Sequence, residues 1–250
     1  MNMYTQSLLN ATSKEVESYD YLTPDEKPLL LYINGGFYSS AMISPWMEKE
    51  FIIGHLYSEG LIKKLEDIKE FEIEGNIAIV ELRKRNFQFS SKVILSGCGG
   101  AGAMIKNKLP KVESNIEITK DIVYYGIRDA LSSRLYQKTR GIHKCTFINQ
   151  DFLILSAEDI GRHNAIDKAI GIALLKNMDM SKFCAATTGR ISSEMALKCS
   201  MANIPVLATK TSITSFAIEI SEATGLTTVA FVSQGRMKIL THGYRVKGSF

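Results

Sequence analysis

No run of apolar residues in this chain approaches the roughly 18 needed to span a bilayer. The longest, such as Ile170–Leu175 and Thr228–Val232, are far shorter, so no membrane segment is expected. The stretch Met1–Glu15 lacks a basic region followed by an apolar core, which is the mark of a secretory signal, and a cytoplasmic location follows as the expectation. Charge of one sign is also missing: 30 basic residues stand against 26 acidic ones, a net +4 that calls for no nucleic-acid partner. The four cysteines, Cys98, Cys145, Cys184 and Cys199, include no CxxC pair, and no histidine stands at metal-finger spacing from them. No metal site is therefore expected, and in a reducing compartment the thiols are free. Low-complexity segments and internal repeats are absent as well. What remains is ordinary globular composition, 45% hydrophobic and 22% charged, over 250 residues, enough for one large domain or two modest ones.

The order of patterns divides the chain. Residues 1 to about 20 are polar and are expected to be poorly ordered. Leu29–Asn34, Ile77–Leu82 and Lys92–Leu95 read as strands, the first closed by Gly35-Gly36. Between the first two lies a helical pattern, Ser44–Glu59, with Ser44 placed to cap, Pro45 at the first helical position and Gly60 as a stop. Residues 1–115 are thus a mixed, mainly β region. In 116–250, Thr119 is placed to cap a helix over Lys120–Thr139. Strands at Cys145–Asn149 and Phe152–Ser156 follow, joined at Gln150-Asp151. Helices over 163–176, 192–203 and 213–224 then alternate with strands over 183–187, 204–209 and 226–232. Met237–Thr241 closes the series as a hairpin partner or a short crossover. Strands separated by helices of this length imply a layered α/β/α unit.

Three sets of loops can carry chemistry. Ser96-Gly97-Cys98-Gly99-Gly100-Ala101-Gly102 surrounds one cysteine with four glycines. Glycine lets a bulky partner approach the backbone, so the thiol is reachable, whereas a cysteine kept for packing would waste its apolar character there. The Walker arrangement is missing, because no Gly-Lys-Ser/Thr follows. The second set is Glu158–Lys168, where Arg162 and His163 sit at a loop–helix junction and Asp159 is placed to orient Arg162. A zinc deaminase reading of His163 fails, since neither HxE nor PCxxC occurs. The third set is Thr187–Glu194, Thr209–Ser215 and Phe231–Arg236, each of which leaves a strand with a cation and hydroxyls or a glycine. Loops of this kind emerge on one edge of a parallel sheet, where Arg190, Lys210 and Arg236 can converge on an anionic ligand. Phe231 and the Ser233-Gln234-Gly235 turn belong to the last of these loops. Helix starts also contain Ser, Thr and Gly for reasons of capping alone.

The runs Glu158–Lys168, Gly189–Met195, Ile204-Pro205-Val206 and Gly235-Arg236 resemble the FdhD family, the formate dehydrogenase accessory sulfurtransferases, over about Gly35–Arg245. The resemblance implies a cytidine-deaminase-like three-layer α/β/α half preceded by a smaller, β-rich half. It implies that Cys98 accepts persulfide sulfur from a cysteine desulfurase. The sulfur then passes to the molybdenum cofactor in its bis(molybdopterin guanine dinucleotide) form, before insertion into the formate dehydrogenase apo-enzyme. Phe231, Val232, Ser233, Gln234, Gly235 and Arg236 are implied as the cofactor-contacting segment, with a homodimer as the assembly. Where the family often has CxxC in the glycine-rich loop, this chain has Cys98 and Ala101, so a two-thiol mechanism inside the loop is closed to it. The rival reading is a non-catalytic chaperone that holds the cofactor.

Overall fold

The structure, a computed structural model, describes residues 2–9, 16–83 and 109–248. Cys98 with its glycine-rich loop, and the strand expected at Lys92–Leu95, lie outside the described residues.

The chain is a mixed α/β protein. Strands β1 (Asn2–Leu9) and β2 (Val16–Thr23) form an antiparallel hairpin with eight paired positions, in place of the expected poor order. Both carry tyrosine, threonine or valine among their polar residues, and such residues suit a pleated backbone whatever the net polarity. A four-stranded sheet follows, built from β3 (Lys27–Ile33), β4 (Gly36–Ile43), β5 (Ile68–Glu74) and β6 (Ile77–Leu82) in the order β4-β3-β6-β5. Strand β4 was not anticipated. Asn34 and Gly35 both take positive φ, at 49° and 78°, and Ile33 pairs with Gly36. That is a two-residue Asn-Gly hairpin turn, a strand-pairing signal rather than a strand stop.

Helix α1 (Glu48–Ser58) starts later than expected, and Ser44 does not cap it. The buried Ser44 is bound elsewhere: its N–H donates to Asp159 Oδ2 at 3.0 Å and its Oγ accepts from the Ile160 N–H at 3.0 Å. Gly60, at φ 74°, does end the helix. After β7 (Ile118–Thr119), the single helix expected over Lys120–Thr139 is two, α2 (Lys120–Leu131) and α3 (Arg134–Thr139). Two serines break it. Ser132 Oγ donates back to the Asp129 carbonyl, and Ser133 Oγ caps α3 by accepting from the Tyr136 N–H. Thr119 holds the cap position of α2 without a side-chain bond.

The C-terminal half is built on six strands, β8 (His143–Ile148), β9 (Ile154–Asp159), β10 (Cys184–Thr187), β11 (Val206–Thr209), β12 (Thr227–Ser233) and β13 (Arg236–Thr241). Their order is β13-β12-β11-β10-β8-β9. The central three are parallel, and the final pair is an antiparallel hairpin. The short strands β14 (Val246–Lys247) and β7 pair beside this sheet. Both faces of the central strands are covered, which is why they read as continuous apolar runs. Ala185, Leu207, Cys145 and Phe147 pack with α4 (Arg162–Leu175), α5 (Ser193–Met201) and α6 (Ser215–Thr224). Ala186, Val206, Ala208 and Val229 pack with Ile122, Val123 and Ile127 of α2.

The two halves meet where α1 crosses α4. A Cβ on Gly54 would lie 1.7 Å from the Asp167 carbonyl oxygen, and one on Gly171 would lie 1.9 Å from the Glu50 carbonyl oxygen. The helices therefore touch backbone to backbone. Gly→Ala inside an exposed helix gains about 1 kcal/mol. Here the sign reverses: Gly54→Ala is expected to cost about 3 kcal/mol or more, because the obstacle is main chain that cannot rotate away. A urea midpoint equal to or above that of the parent protein would show that the helices separate without cost.

Candidate functional site

Strands β10, β11 and β12 run in one direction, so their carboxyl ends share an edge. Antiparallel β8 begins at that edge and β9 ends there, since His143 pairs with Asp159. The loops at this edge are laced to one another. The Thr188 N–H donates to the Lys144 carbonyl at 3.2 Å, and Thr188 Oγ1 lies 3.1 Å from His143 Nδ1. Thr209 Oγ1 donates to the Gly189 carbonyl at 2.7 Å. Ile191 exchanges hydrogen bonds with Ser212 and Thr214, and the Phe231 N–H donates to the Thr211 carbonyl at 3.0 Å. Three loops expected to converge thus form one continuous rim. Ser192 and Thr214 cap the helices that follow, accepting from the Met195 and Ala217 N–H groups.

Arg190, Lys210 and Arg236 are exposed on this rim, and among the described residues none of them engages a carboxylate. Ser233 pairs with Arg236 across the Gln234-Gly235 turn, with Gly235 at φ 74°. Val232 is different from its neighbours: its side chain is buried in the α2-side core. Phe231 sits at φ 55°, where the β12–β13 register is irregular. Left-handed backbone at an aromatic residue is unusual and stores strain. Phe231 is 45% exposed, and Lys238 Nζ lies 5.0 Å from its ring centroid.

The run Glu158–Lys168 divides into two groups. Asp159 does not orient Arg162. It is fully buried and pairs with Lys168, whose Nζ lies 2.6 Å from Oδ2. Its other oxygen accepts from the Gly161 N–H and from Asn164 Nδ2, both at 2.8 Å. Lys168 Nζ also donates to the Ser44 carbonyl, and Asn164 Nδ2 to that of Met42. Burial pushes the Lys168 ammonium below its usual range against the pull of Asp159. Asp167 binds His55, Ser58 and Lys198. These four residues of the run hold the N-terminal half onto α4. With 3.6 residues per turn, Asn164, Asp167 and Lys168 share one side of the helix and Arg162 falls on the opposite side. That periodicity was the available signal that Arg162 belongs to the rim.

Arg162 lies along Gly189. A Cβ there would stand 2.8 Å from Arg162 Cδ and 2.9 Å from its Cβ. The Arg162 Nε is buried and has no hydrogen-bond partner among the described residues. Next to it, His163 Nε2 is 3.0 Å from Ser192 Oγ and 3.4 Å from Glu194 Oε2. Burial first, and the Arg162 charge second, depress His163 to about 4, so its imidazole is neutral at pH 7. The same two causes lower His143. Cys145, Cys184 and Cys199 are wholly buried in the cores on the two faces of the sheet. Among the described residues no cluster of His, Cys, Asp and Glu is placed to hold a metal ion, and no helix is long and apolar enough to cross a membrane.

The family model of the FdhD/NarQ family matches residues 24–247. The chain belongs to that family. It is 35% identical to the sulfur carrier protein FdhD of Wolinella succinogenes over 92% of this chain and 84% of the relative. It is 30% identical to the sulfur carrier protein FdhD of Bacillus subtilis, covering 89% of each. A solved structure from Desulfotalea psychrophila, described as a candidate formate dehydrogenase accessory protein, superposes with a TM-score of 0.82 at 26% identity. The match covers 98% of this chain and 99% of that one. The runs Glu158–Lys168 and Gly189–Met195 form the inter-half junction and part of the rim.

Proposed function

We propose that this chain is a sulfur carrier for formate dehydrogenase maturation. Cys98 takes the sulfane sulfur of a cysteine desulfurase persulfide, the donor cysteine leaving as thiolate, and passes that sulfur to the bis(molybdopterin guanine dinucleotide) form of the molybdenum cofactor, the Cys98 thiolate leaving and a reduced molybdenum centre or a thiol reductant supplying the electron pair that makes the sulfur a sulfide ligand. The observation that carries the reading is an elimination. Relatives are named sulfur carriers, and three of the four cysteines here are sealed in the core. Cys98 is the remaining thiol. Its test is intact mass after incubation with a desulfurase and cysteine: one added sulfur atom, removable by reductant and located on the peptide containing Cys98, is expected. No gain of sulfur would sink the proposal.

The cofactor is the substrate, and the rim suits its chemistry. Its diphosphates match Arg190, Lys210 and Arg236 with the N–H groups that open α5 and α6. A guanine matches the exposed Phe231 ring and the polar backbone at Ser233-Gln234-Gly235, with Val232 anchoring the strand from behind. We also read the C-terminal half as cytidine-deaminase-like, on its parallel centre and its helices on both faces. A homodimer and docking to the formate dehydrogenase apo-enzyme belong to the same proposal. Guanosine diphosphate is a practical probe of the rim. The parent protein should bind it, and Arg236→Ala should bind about tenfold more weakly, a loss of about 1.4 kcal/mol. Unchanged binding in both Arg236→Ala and Arg190→Ala would place the nucleotide elsewhere.

A further inference from the structure

We infer that Arg162 is an anion-binding residue of the rim, and that it takes a phosphate oxygen pair of a diphosphate reaching across to Arg190 and Lys210. The first observation is the buried Nε with no acceptor among the described residues. Buried donors of charged groups are costly to leave unmet, and such orphans are rare in folded chains. The second is the notch. Gly189 has no side chain where one would strike Arg162 Cδ at 2.8 Å, so the arginine lies flat against the loop that carries Arg190. The third is the surrounding charge. Asp159, three residues before Arg162, is already paired with Lys168. His163 is neutral and contributes no second cation at that point.

A guanidinium presents Nε and one Nη as a planar fork that fits two oxygens of one phosphate. Arg190 adjoins the Gly189 notch, and Lys210 adjoins Thr209, whose hydroxyl is bonded to the Gly189 carbonyl. One anion with several charges and more than one phosphorus suits three cations on neighbouring loops better than a lone carboxylate. The inference deepens the reading of the rim as a nucleotide site, but it requires only the diphosphate.

Inorganic pyrophosphate is therefore the probe, titrated calorimetrically at low ionic strength. The parent protein should bind, Arg162→Gln should bind at least tenfold more weakly, and Arg162→Lys should fall between. Gly189→Ala should resemble Arg162→Gln, since the added methyl displaces the arginine. In the unaltered protein, the Arg162 Nε–H resonance should move on saturation, a readout that no folding defect can mimic. Equal affinity in Arg162→Gln, no pyrophosphate binding by the parent, or an Nε–H signal unmoved by ligand would each overturn the assignment. The two readings fail separately. Guanosine diphosphate binding indifferent to both Arg236→Ala and Arg190→Ala, with pyrophosphate binding dependent on Arg162, removes the nucleotide placement alone. The converse pattern removes Arg162 alone.

Discussion

Replacing Cys98 by alanine is expected to abolish formate dehydrogenase maturation while leaving the circular dichroism and the urea midpoint of the protein unchanged. Only a thiolate can attack a persulfide, and thiolate character depends on surroundings. Burial pushes the Cys184 thiol up to about 12, and raises the Cys145 and Cys199 thiols well above their usual range too. None of the three is solvent-accessible, so none can serve as the resolving partner that Ala101 fails to provide. Their replacement by serine or alanine should retain activity and cost about 0.5–3 kcal/mol of stability each. The check is complementation of a strain lacking the protein, read as formate-dependent dye reduction. Full activity in Cys98→Ala would leave the chain as a chaperone that holds the cofactor without sulfur chemistry.

The second large effect concerns the junction between the halves. Asp167 is buried and accepts from Ser58 Oγ at 2.7 Å and from Lys198 Nζ at 2.8 and 2.9 Å, with His55 Nδ1 at 3.0 Å. Lys198 also reaches Glu59 Oε1 at 3.4 Å. His55, Ser58 and Glu59 come from the α1 region, Asp167 from α4 and Lys198 from α5. Asp167→Asn leaves a buried ammonium with one long contact to a carboxylate, and a loss of about 3–5 kcal/mol is expected. Adding Lys198→Met should recover part of it, because the uncompensated charge is then gone. A double variant no more stable than Asp167→Asn would show that the charge pairing is not the cause.

The same network sets an acid limit. Burial raises the Asp167 carboxyl, but Lys198 and His55 outweigh it and hold the group at about 2, below its ordinary 3.8. A carboxylate depressed by folding stabilises the native state above its unfolded pKa. That contribution is therefore complete above about 4 and is lost as the pH falls through about 2. Urea midpoints measured down this range should decline more steeply in the parent than in Asp167→Asn.

Much of the architecture was legible because its signals are local. Alternating helices and strands from His143 onward, the antiparallel last hairpin and the stop at Gly60 follow from periodicity and from turn residues. Where local rules failed, a competing local rule or a distant partner prevailed. The Asn34-Gly35 turn made a hairpin of what read as a strand end, and two serines divided what read as one helix. Ser44 looked like a cap, but its partners, Asp159 and Ile160, lie 115 and 116 residues away.

By itself the sequence determined the family, the loops that gather on the sheet edge, and the singular position of Cys98 among four cysteines. These depend on residue type and spacing alone. Only the tertiary structure decided what the run Glu158–Lys168 does. It sends Asp159, Asn164, Asp167 and Lys168 to bonds with the other half and leaves Arg162 on the rim beside Gly189. The physical reason is that a buried charge takes its meaning from the partner that compensates it. For Asp167 and Lys168 those partners include His55 and the Ser44 carbonyl, 112 and 124 residues away along the chain.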